Sequence, residues 1–196
     1  MLKKSDIISI SGVGIKLFLI TAISALVLAV INYVTAPIIE ANNVEKQNVS
    51  MQKVLPLAKT FEKTDISALA TVDFPSEVTA VYKGIDDNDD VLGFAVMVSS
   101  GGYGGDISLV VGVDNELKVT GVDIVSHSET PGLGAKCKTD DFRNQFIGKT
   151  IDIKVTKNGA KDNEIDAITS ATITSNAVTN GVNSAIGAIN LIKEAE

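Results

Sequence analysis

The sequence contains a single cysteine, a single histidine and no tryptophan among its 196 residues. A disulfide within the chain needs two thiols, so it is excluded, and we expect Cys137 to be a packing residue. Structural zinc sites and iron–sulfur clusters are built from several cysteine or histidine ligands. The scarcity of both residue types therefore excludes these two classes of metal site.

Several motifs of common enzyme classes are also missing. The glycine-rich residues 101–105 lack the Gly-x-Gly-x-x-Gly spacing of a Rossmann dinucleotide site and do not end in the Gly-Lys-Ser/Thr of a P-loop. Gly-x-Ser-x-Gly, the nucleophile motif of many serine hydrolases, does not occur either. His127 and Glu129 could suggest acid–base catalysis or half of a metal site. Two candidate ligands are too few to support a metal site.

Positive charge is scarce outside the N-terminal region. Residues 1–40 carry three lysines and two acidic residues, a net charge of +1. The remaining 156 residues carry 14 lysines or arginines and 22 acidic residues, a net charge of −8. Such an acidic domain argues against nucleic acid as a partner.

Residues 17–39 contain no charged side chain. About 20 apolar residues suffice for a helix that crosses a bilayer. A cleaved signal peptide or a buried helix are the alternatives, but the apolar core exceeds the roughly 7–15 residues usual in a signal peptide. We therefore predict a retained, single-pass transmembrane helix over residues 17–39.

The charges beside this run predict its orientation. Lys3, Lys4 and Lys16 precede it and Glu40 follows it directly. Because positively charged flanks stay in the cytoplasm, residues 1–16 should be cytoplasmic and the C-terminal domain extracytoplasmic, at the cell membrane.

After the membrane span, residues 40–75 read as a stalk helix, over 42–57, followed by a linker. Residues 76–196 then predict an α+β domain with an antiparallel sheet. The expected strands cover residues 78–83, 91–99, 107–113, 117–125, 151–155 and 164–168, with turns at 86–90 and 158–159. The expected helices cover residues 139–146, capped by Thr139, and residues 174–192.

Three loops in this domain could hold a ligand or serve structure alone. Residues 101–105 read Gly-Gly-Tyr-Gly-Gly, and residues 127–136 combine His127 and Glu129 with a Pro-Gly pair typical of a type II turn. Residues 169–175 read Thr-Ser-Ala-Thr-Ile-Thr-Ser at the start of the last helix. That helix start suits either an ordinary hydroxyl cap or a bound phosphate.

Together, residues 102–107, 127–134 and 169–175 resemble the membrane-anchored FMN-binding subunits of Rnf and Na⁺-NQR electron-transport complexes. The G subunit of the Rnf complex is the better match, and the N-terminal anchor and the chain length fit as well. In that family a threonine within Ser/Thr-Gly-Ala-Thr-x-Ser/Thr is esterified to the phosphate of FMN. The matching residue is Thr172, and the resemblance favours it over a flavin linked to His127.

The resemblance implies a cofactor site drawn from all three loops, with no catalytic residue and no metal of its own. The usual glycine of the last motif is Ser170, which suits a tight turn provided that its φ is not positive. Besides Thr172, the implied FMN-binding residues are Gly102, Tyr103, Gly104, His127, Glu129, Thr130, Gly132, Leu133, Gly134, Lys136, Thr169, Ser170, Ala171, Ile173 and Thr174.

The implied function is that of a flavin-bearing component of an ion-translocating complex of the ferredoxin:NAD⁺ oxidoreductase type. Covalent FMN would relay electrons between neighbouring membrane subunits, and a flavin transferase using FAD and Mg²⁺ would install it. Three alternatives remain at this point. They are the C subunit of a Na⁺-translocating NADH:quinone reductase, a non-redox membrane-anchored binding or scaffold domain, and a stand-alone extracellular flavoprotein.

Overall fold

The computed structural model describes residues 4–66 and 74–195. The chain divides into two compact units, Met1–Glu45 and Lys46–Glu196. Lys3, one of the residues that predicted the orientation of the span, and residues 67–73 of the predicted linker lie outside the described residues.

The first unit is formed by the N-terminal part of helix α1, Lys4–Val54. Its large apolar side chains from Ile15 to Val34 are between 49% and 84% exposed. Such a large apolar surface is unfavourable in water. The stretch Gly14–Val54 is long and apolar enough to cross a membrane. The hydroxyls of Thr21 and Thr35 donate to carbonyls of their own helix, so these polar groups need no outside partner.

The second unit contains a five-stranded antiparallel sheet in which neighbours along the chain are neighbours in space. The Asp86 carboxylate accepts hydrogen bonds from the backbone N–H groups of Asn88 and Asp90, which closes the predicted turn between the second and third strands. The strands are β1 Thr60–Thr64, β2 Val78–Ile85, β3 Val91–Gly101, β4 Asp106–Asp114 and β5 Val119–Ser126.

Both faces of the sheet are covered by helix. Successive side chains of a strand point to opposite faces, so Phe94, Val96 and Val98 of β3 belong to one apolar cluster and Ala95 and Met97 to another. The C-terminal helix α3, Thr172–Ala195, fills the first cluster. The last turns of α1 and the residues just after them fill the second, through Met51, Val54, Leu55 and Ala58.

Helix α3 confirms its predicted apolar face. Every residue assigned to that face is buried: Val178, Val182, Ala185, Ile186, Ile189 and Ile192. A side chain at Gly181 would meet Val98 and Leu109 at 3.2 and 3.3 Å, so the helix lies close against the sheet. The Ser100 hydroxyl donates to the Ala177 carbonyl across this interface at 2.8 Å. The α+β prediction with an antiparallel sheet is therefore confirmed.

The structure differs from the expected strands in two places. Residues 60–64, expected as linker, form the edge strand β1. Its side chains are mostly exposed and do not alternate between buried and exposed positions. The expected strand over 151–155 shortens to β6, Lys154–Thr156, which pairs in parallel with β7, Glu164–Asp166. The reason is Asn183, because its side chain bonds both the N–H and the carbonyl of Ile153, the groups that a longer strand would use.

The helical predictions need two smaller corrections. The expected helix over 139–146 is a short α-helix α2, Asp140–Arg143, followed by a 3₁₀ turn, Asn144–Phe146. Thr139 precedes α2 but does not cap it, because its hydroxyl donates to the Lys136 carbonyl instead. The expected stalk helix is the end of α1 and stops at Val54.

Candidate functional site

A cleft of about 420 Å³ lies where the three predicted loops meet. The β3–β4 loop contributes Tyr103, and the loop after β5 contributes four residues around Glu129. The start of α3, with the turn before it, contributes five more. All of them were predicted site residues: Tyr103, Glu129, Thr130, Leu133, Gly134, Ser170, Ala171, Thr172, Ile173 and Thr174.

Glu129 is only 5% exposed and joins the three loops through its carboxylate. One oxygen, Oε1, accepts the backbone N–H of Gly104 at 2.9 Å. The other, Oε2, accepts the hydroxyl of Thr174 at 2.6 Å. The backbone N–H of Glu129 itself donates to Nδ1 of His127 at 3.1 Å, and this hydrogen bond helps to fix the backbone of Glu129.

The charge state of Glu129 depends on these hydrogen bonds. Burial by itself raises the pKa of Glu129, since it disfavours the charged form. The hydrogen bonds from Thr174 and from the N–H groups of Gly104 and Tyr103, together with nearby His127, outweigh burial and hold the pKa below its ordinary 4.5. The carboxylate is therefore ionised at neutral pH.

Three glycines of the predicted site allow close packing around Glu129, and two of them lie against its carboxylate. A β-carbon on Gly102 would collide with Oε1 of Glu129 and lie 2.8 Å from Ile107. A β-carbon on Gly134 would collide with the same carboxylate and lie 2.6 Å from the Thr174 hydroxyl. At Gly104 it would collide with the backbone of Ser128. These glycines thus allow the loops to close around Glu129.

The predicted Pro-Gly turn is present in the loop after β5. Gly132 has a φ of +79°, and the Leu133 N–H donates to the Thr130 carbonyl at 3.2 Å, as in a type II turn. The turn carries Leu133 to the edge of the cleft, where its side chain is exposed.

Thr172 is the first residue of α3, a helix that begins two residues earlier than expected. The first N–H groups of any helix lack acceptors within the helix, so this end attracts anions. The Ser175 hydroxyl fixes the turn before it, since it accepts the Ile168 N–H at 2.9 Å and donates to the Ala171 carbonyl at 3.0 Å. Ser170 within the turn has a φ of 62°, in the left-handed region that favours glycine.

Comparison with known proteins places these loops within a family. Residues 102–187 match the FMN-binding domain family. The sequence is 41% identical over 184 residues to the G subunit of the Na⁺-translocating ferredoxin:NAD⁺ oxidoreductase complex of Acetobacterium woodii, with 88% of each chain covered. It is 37% identical over 187 residues to the G subunit of the proton-translocating ferredoxin:NAD⁺ oxidoreductase complex of Clostridium ljungdahlii, with 95% of each covered. The chain belongs to the family of G subunits of ion-translocating oxidoreductase complexes.

The fold of this G-subunit family member is shared with solved structures. NqrC of Shewanella oneidensis superimposes with a TM-score of 0.58 at 19% identity and covers 74% of this chain and 94% of its own. The C subunit of the Na⁺-translocating NADH-quinone reductase of Parabacteroides distasonis gives a TM-score of 0.54 at 22% identity, covering 78% and 94%. At these identities the likeness shows the fold alone.

Six predicted residues of this G-subunit family member lie outside the cleft lining. Gly102, Gly104 and His127 lie behind it and support Glu129, and Gly132 forms the adjoining turn. Lys136 and Thr169 line another surface groove, which does not include Thr172.

Sequence reasoning missed two residues at this site. Lys157 lines a groove of about 290 Å³ together with Thr169, Ser170 and Thr172. It lies beyond β6, in a stretch without a motif, so only the fold reveals it. Ser175 was seen as part of the motif but not as its structural anchor, and its position one helical turn after Ala171 was the available signal.

Cys137 lies close to the site without lining it. The residue is fully buried in the 3₁₀ helix Gly134–Lys138, which confirms the expectation of a packing role. Burial, with a further contribution from the negative charge of Glu129, raises the pKa of Cys137 from 9.0 to about 11. The thiol is therefore protonated at neutral pH and is a poor nucleophile.

Proposed function

We propose that this chain is the flavin-bearing electron-transfer component of a membrane-bound, ion-translocating complex of the ferredoxin:NAD⁺ oxidoreductase type, with FMN bound covalently through Thr172. The complexes to which its relatives belong support the class of complex. The observation that carries the attachment site is the position of Thr172, a hydroxyl at a helix N-terminus on the wall of the cleft.

Three of the other four hydroxyls of the motif are less suitable for attachment, and Ser170 is left to be tested by substitution. Thr174 is 1% exposed and already bonded to Glu129, and Ser175 is fully buried. Thr169 is exposed but does not line the cleft. Thr172 is half-buried and lines the cleft, so its hydroxyl can be reached by a ligand there.

Attachment of the flavin to Thr172 involves no oxidation or reduction. The Thr172 oxygen replaces AMP at the FMN phosphorus of FAD, so one pyrophosphate bond breaks and one phosphoester bond forms. AMP and the hydroxyl proton leave. A separate flavin transferase with Mg²⁺ would perform this step, as the resemblance implies.

The residues present suit a flavin ring as well as its phosphate. Tyr103, Leu133 and Ile173 present exposed apolar surface at the cleft, which fits a flat aromatic ring. The cofactor, once bound, supplies the redox chemistry, while the protein binds, orients and electrostatically tunes it.

Lys157 is the cation best situated to balance the phosphate. The cleft and the smaller groove share Ser170 and Thr172, so a phosphate on Thr172 would lie where the two cavities join. Lys157 lines the groove side of that junction, whereas Lys136 does not. We expect Lys157→Ala to slow flavin loading several-fold by a purified transferase, with Lys136→Ala as the matched control. Equal rates for both variants would contradict this assignment.

The test of attachment is expression of the full chain with a flavin transferase, followed by denaturing electrophoresis and in-gel flavin fluorescence. Wild type should fluoresce and gain the mass of one FMN. Thr172→Ala should lose the signal, while Ser170→Ala, Thr169→Ala and His127→Ala should keep it. A colourless wild type would reject the proposed function, and loss at Ser170 or His127 with retention in Thr172→Ala would reject the site.

The membrane arrangement is part of the same proposal. Residues 17–39 cross the cell membrane once, with the N-terminus cytoplasmic, the flavin domain extracytoplasmic, and other membrane subunits of the complex as partners. An Asp87→Cys variant offers an exposed thiol in the β2–β3 turn, while native Cys137 is buried and gives little background. A membrane-impermeant maleimide should label this variant in intact cells. Labelling that requires cell lysis would contradict the orientation.

A further inference from the structure

Glu129 places an ionised carboxylate inside the cleft without a salt-bridge partner among the described residues. Its oxygens are held instead by neutral donors, the Thr174 hydroxyl and the backbone N–H of Gly104. A charge held mainly by neutral hydrogen-bond donors remains largely uncompensated, so a ligand in the same cavity experiences it.

The same carboxylate also links two segments of the chain through hydrogen bonds. Oε1 holds the β3–β4 loop that carries Tyr103, and Oε2 holds the first turn of α3 that carries Thr172. The loop and the helix start are far apart in sequence, since Gly104 is 25 and Thr174 is 45 residues from Glu129. Because Gly102 and Gly134 leave no room for a β-carbon beside it, the carboxylate fills the space between these segments.

We propose that Glu129 is a positioning residue that fixes the Tyr103 loop against the start of α3, and that its negative charge lowers the reduction potential of the flavin in the cleft. This inference rests on the proposed function for its second half only. The first half concerns contacts within the polypeptide and is testable without cofactor.

The sign of the electrostatic effect follows from the charge. Reduction adds electrons to the flavin, and a fixed negative charge nearby makes that addition less favourable. Water is partly excluded from the cleft wall where Glu129 is buried, so screening is weaker than at the surface. Removing the charge should therefore make reduction easier.

Glu129→Gln separates charge from shape. A glutamine oxygen can accept the Gly104 N–H, and its amide can donate to the Thr174 hydroxyl, so both contacts survive while the charge is lost. In flavin-loaded full-length protein, we expect Glu129→Gln to shift the midpoint potential upward, with the reduction equilibrium changed on the order of tenfold. Glu116→Gln is the control, because it removes the same charge from an exposed site at the far end of the β4–β5 hairpin.

Glu129→Ala tests the connection itself. On a Thr172→Ala background, which cannot carry the flavin, we expect faster hydrogen–deuterium exchange in residues 102–107 and at the start of α3 than in Thr172→Ala alone. Thr174→Val removes one donor without changing charge and should speed exchange at the helix start.

Each result bears on one half of the proposal. An unchanged potential in loaded Glu129→Gln would overturn the electrostatic half, and so would an equal shift in Glu116→Gln. Unchanged exchange in Glu129→Ala would overturn the positioning half, as would failure of a normally folded Glu129→Gln to accept flavin. Absence of covalent flavin on wild type would instead reject the proposed function, leaving the exchange result to decide the positioning half alone.

Discussion

Ser170 occupies the left-handed backbone region with a φ of 62°, in the turn that precedes α3. For a residue with a side chain this conformation costs about 1–2 kcal/mol, which glycine avoids. From the sequence, serine was expected to suit a tight turn unless φ is positive; here φ is positive, so serine occupies the turn under strain. The neighbouring hydrogen bonds of Ser175 hold the turn in place despite this strain.

We expect Ser170→Gly to stabilise the domain by about 1 kcal/mol, since it relieves the strained φ at a small cost in chain entropy. The measurement is the unfolding midpoint of the full chain in detergent. Ser170→Ala removes the same hydroxyl but keeps a β-carbon, so it should not stabilise. Equal stabilisation by both variants would assign the effect to the hydroxyl rather than to the backbone.

A second prediction for a single residue concerns the reactivity of Cys137. With a pKa of about 11, only about one thiol in a thousand is ionised at pH 8, and burial blocks access as well. Iodoacetamide should label the native chain very slowly and the urea-unfolded chain at the rate of an ordinary thiol.

The raised pKa of Cys137 also links stability to pH. The folded thiol holds its proton up to about pH 11 and the ordinary thiol only to about 9, so the stabilising contribution is lost as pH rises through this window. Cys137→Ala should flatten that part of the stability profile. A profile identical to wild type between pH 9 and 11 would contradict the buried, protonated state.

At the scale of elements, Asp123 of β5 connects three parts of the second unit. Its carboxylate is 7% exposed and accepts the Ser50 hydroxyl at 2.8 Å and the Lys53 ammonium at 3.2 Å, both from the end of α1. It also pairs with Arg143 of α2. The network holds the last turns of α1 on the sheet face opposite α3.

Asp123→Asn should destabilise the domain by about 3 kcal/mol, because it removes the buried charge partner of a largely buried guanidinium and leaves only the exposed Asp140. Asp140→Asn is the matched control, since Asp140 binds the same Arg143 from a side chain that is 78% exposed. Exposed pairs contribute less than about 1 kcal/mol. Urea unfolding of the full chain should show this difference, and equal losses for both variants would contradict the central role of Asp123.

The elements differ in how far the sequence could predict them. Strands β2 to β5 and helix α3 have strong apolar periodicity because each buries one or both faces, and their positions were predicted to within a few residues. Strand β1 has no such pattern, since an edge strand can be held by backbone hydrogen bonds with Tyr82 and its neighbours in β2. Asp123 was missed because its partners come from distant segments, α1 and α2.

Part of the site could also be predicted, because it too is marked by local sequence patterns. The three loops carry compact motifs, so their convergence followed from the family resemblance, and ten of the predicted residues line one cleft. The motifs did not reveal that Gly102 and Gly134 are needed because of Glu129, a contact across the fold. Nor could they reveal Lys157, which is brought to Thr169 and Thr172 by tertiary structure alone.

At the scale of the whole molecule, the boundary between the two units falls within one continuous helix. The apolar segment before it is exposed, whereas Met51, Val54 and Leu55 after it belong to the core of the second unit. The last turns of α1 therefore belong to the flavin domain by packing, although the sequence pattern indicated a stalk.

A chain that begins at Lys46 should be soluble without detergent and unfold cooperatively, because it keeps both apolar clusters. A chain that begins at Lys59 loses three large core side chains, each worth about 1.5–3 kcal/mol when buried. Their sum is comparable to the total stability of a typical domain. Size-exclusion chromatography and thermal unfolding should show aggregation or loss of cooperativity in the shorter chain only.

The order of the elements along the chain has a consequence for maturation. Helix α3, Thr172–Ala195, follows all five strands of the sheet, yet it covers one face of that sheet and supplies the residue proposed to carry the flavin. A copy terminated between β5 and α3 would have these strands but neither this helix nor the acceptor hydroxyl. Copies terminated before Thr172 would therefore consume no flavin.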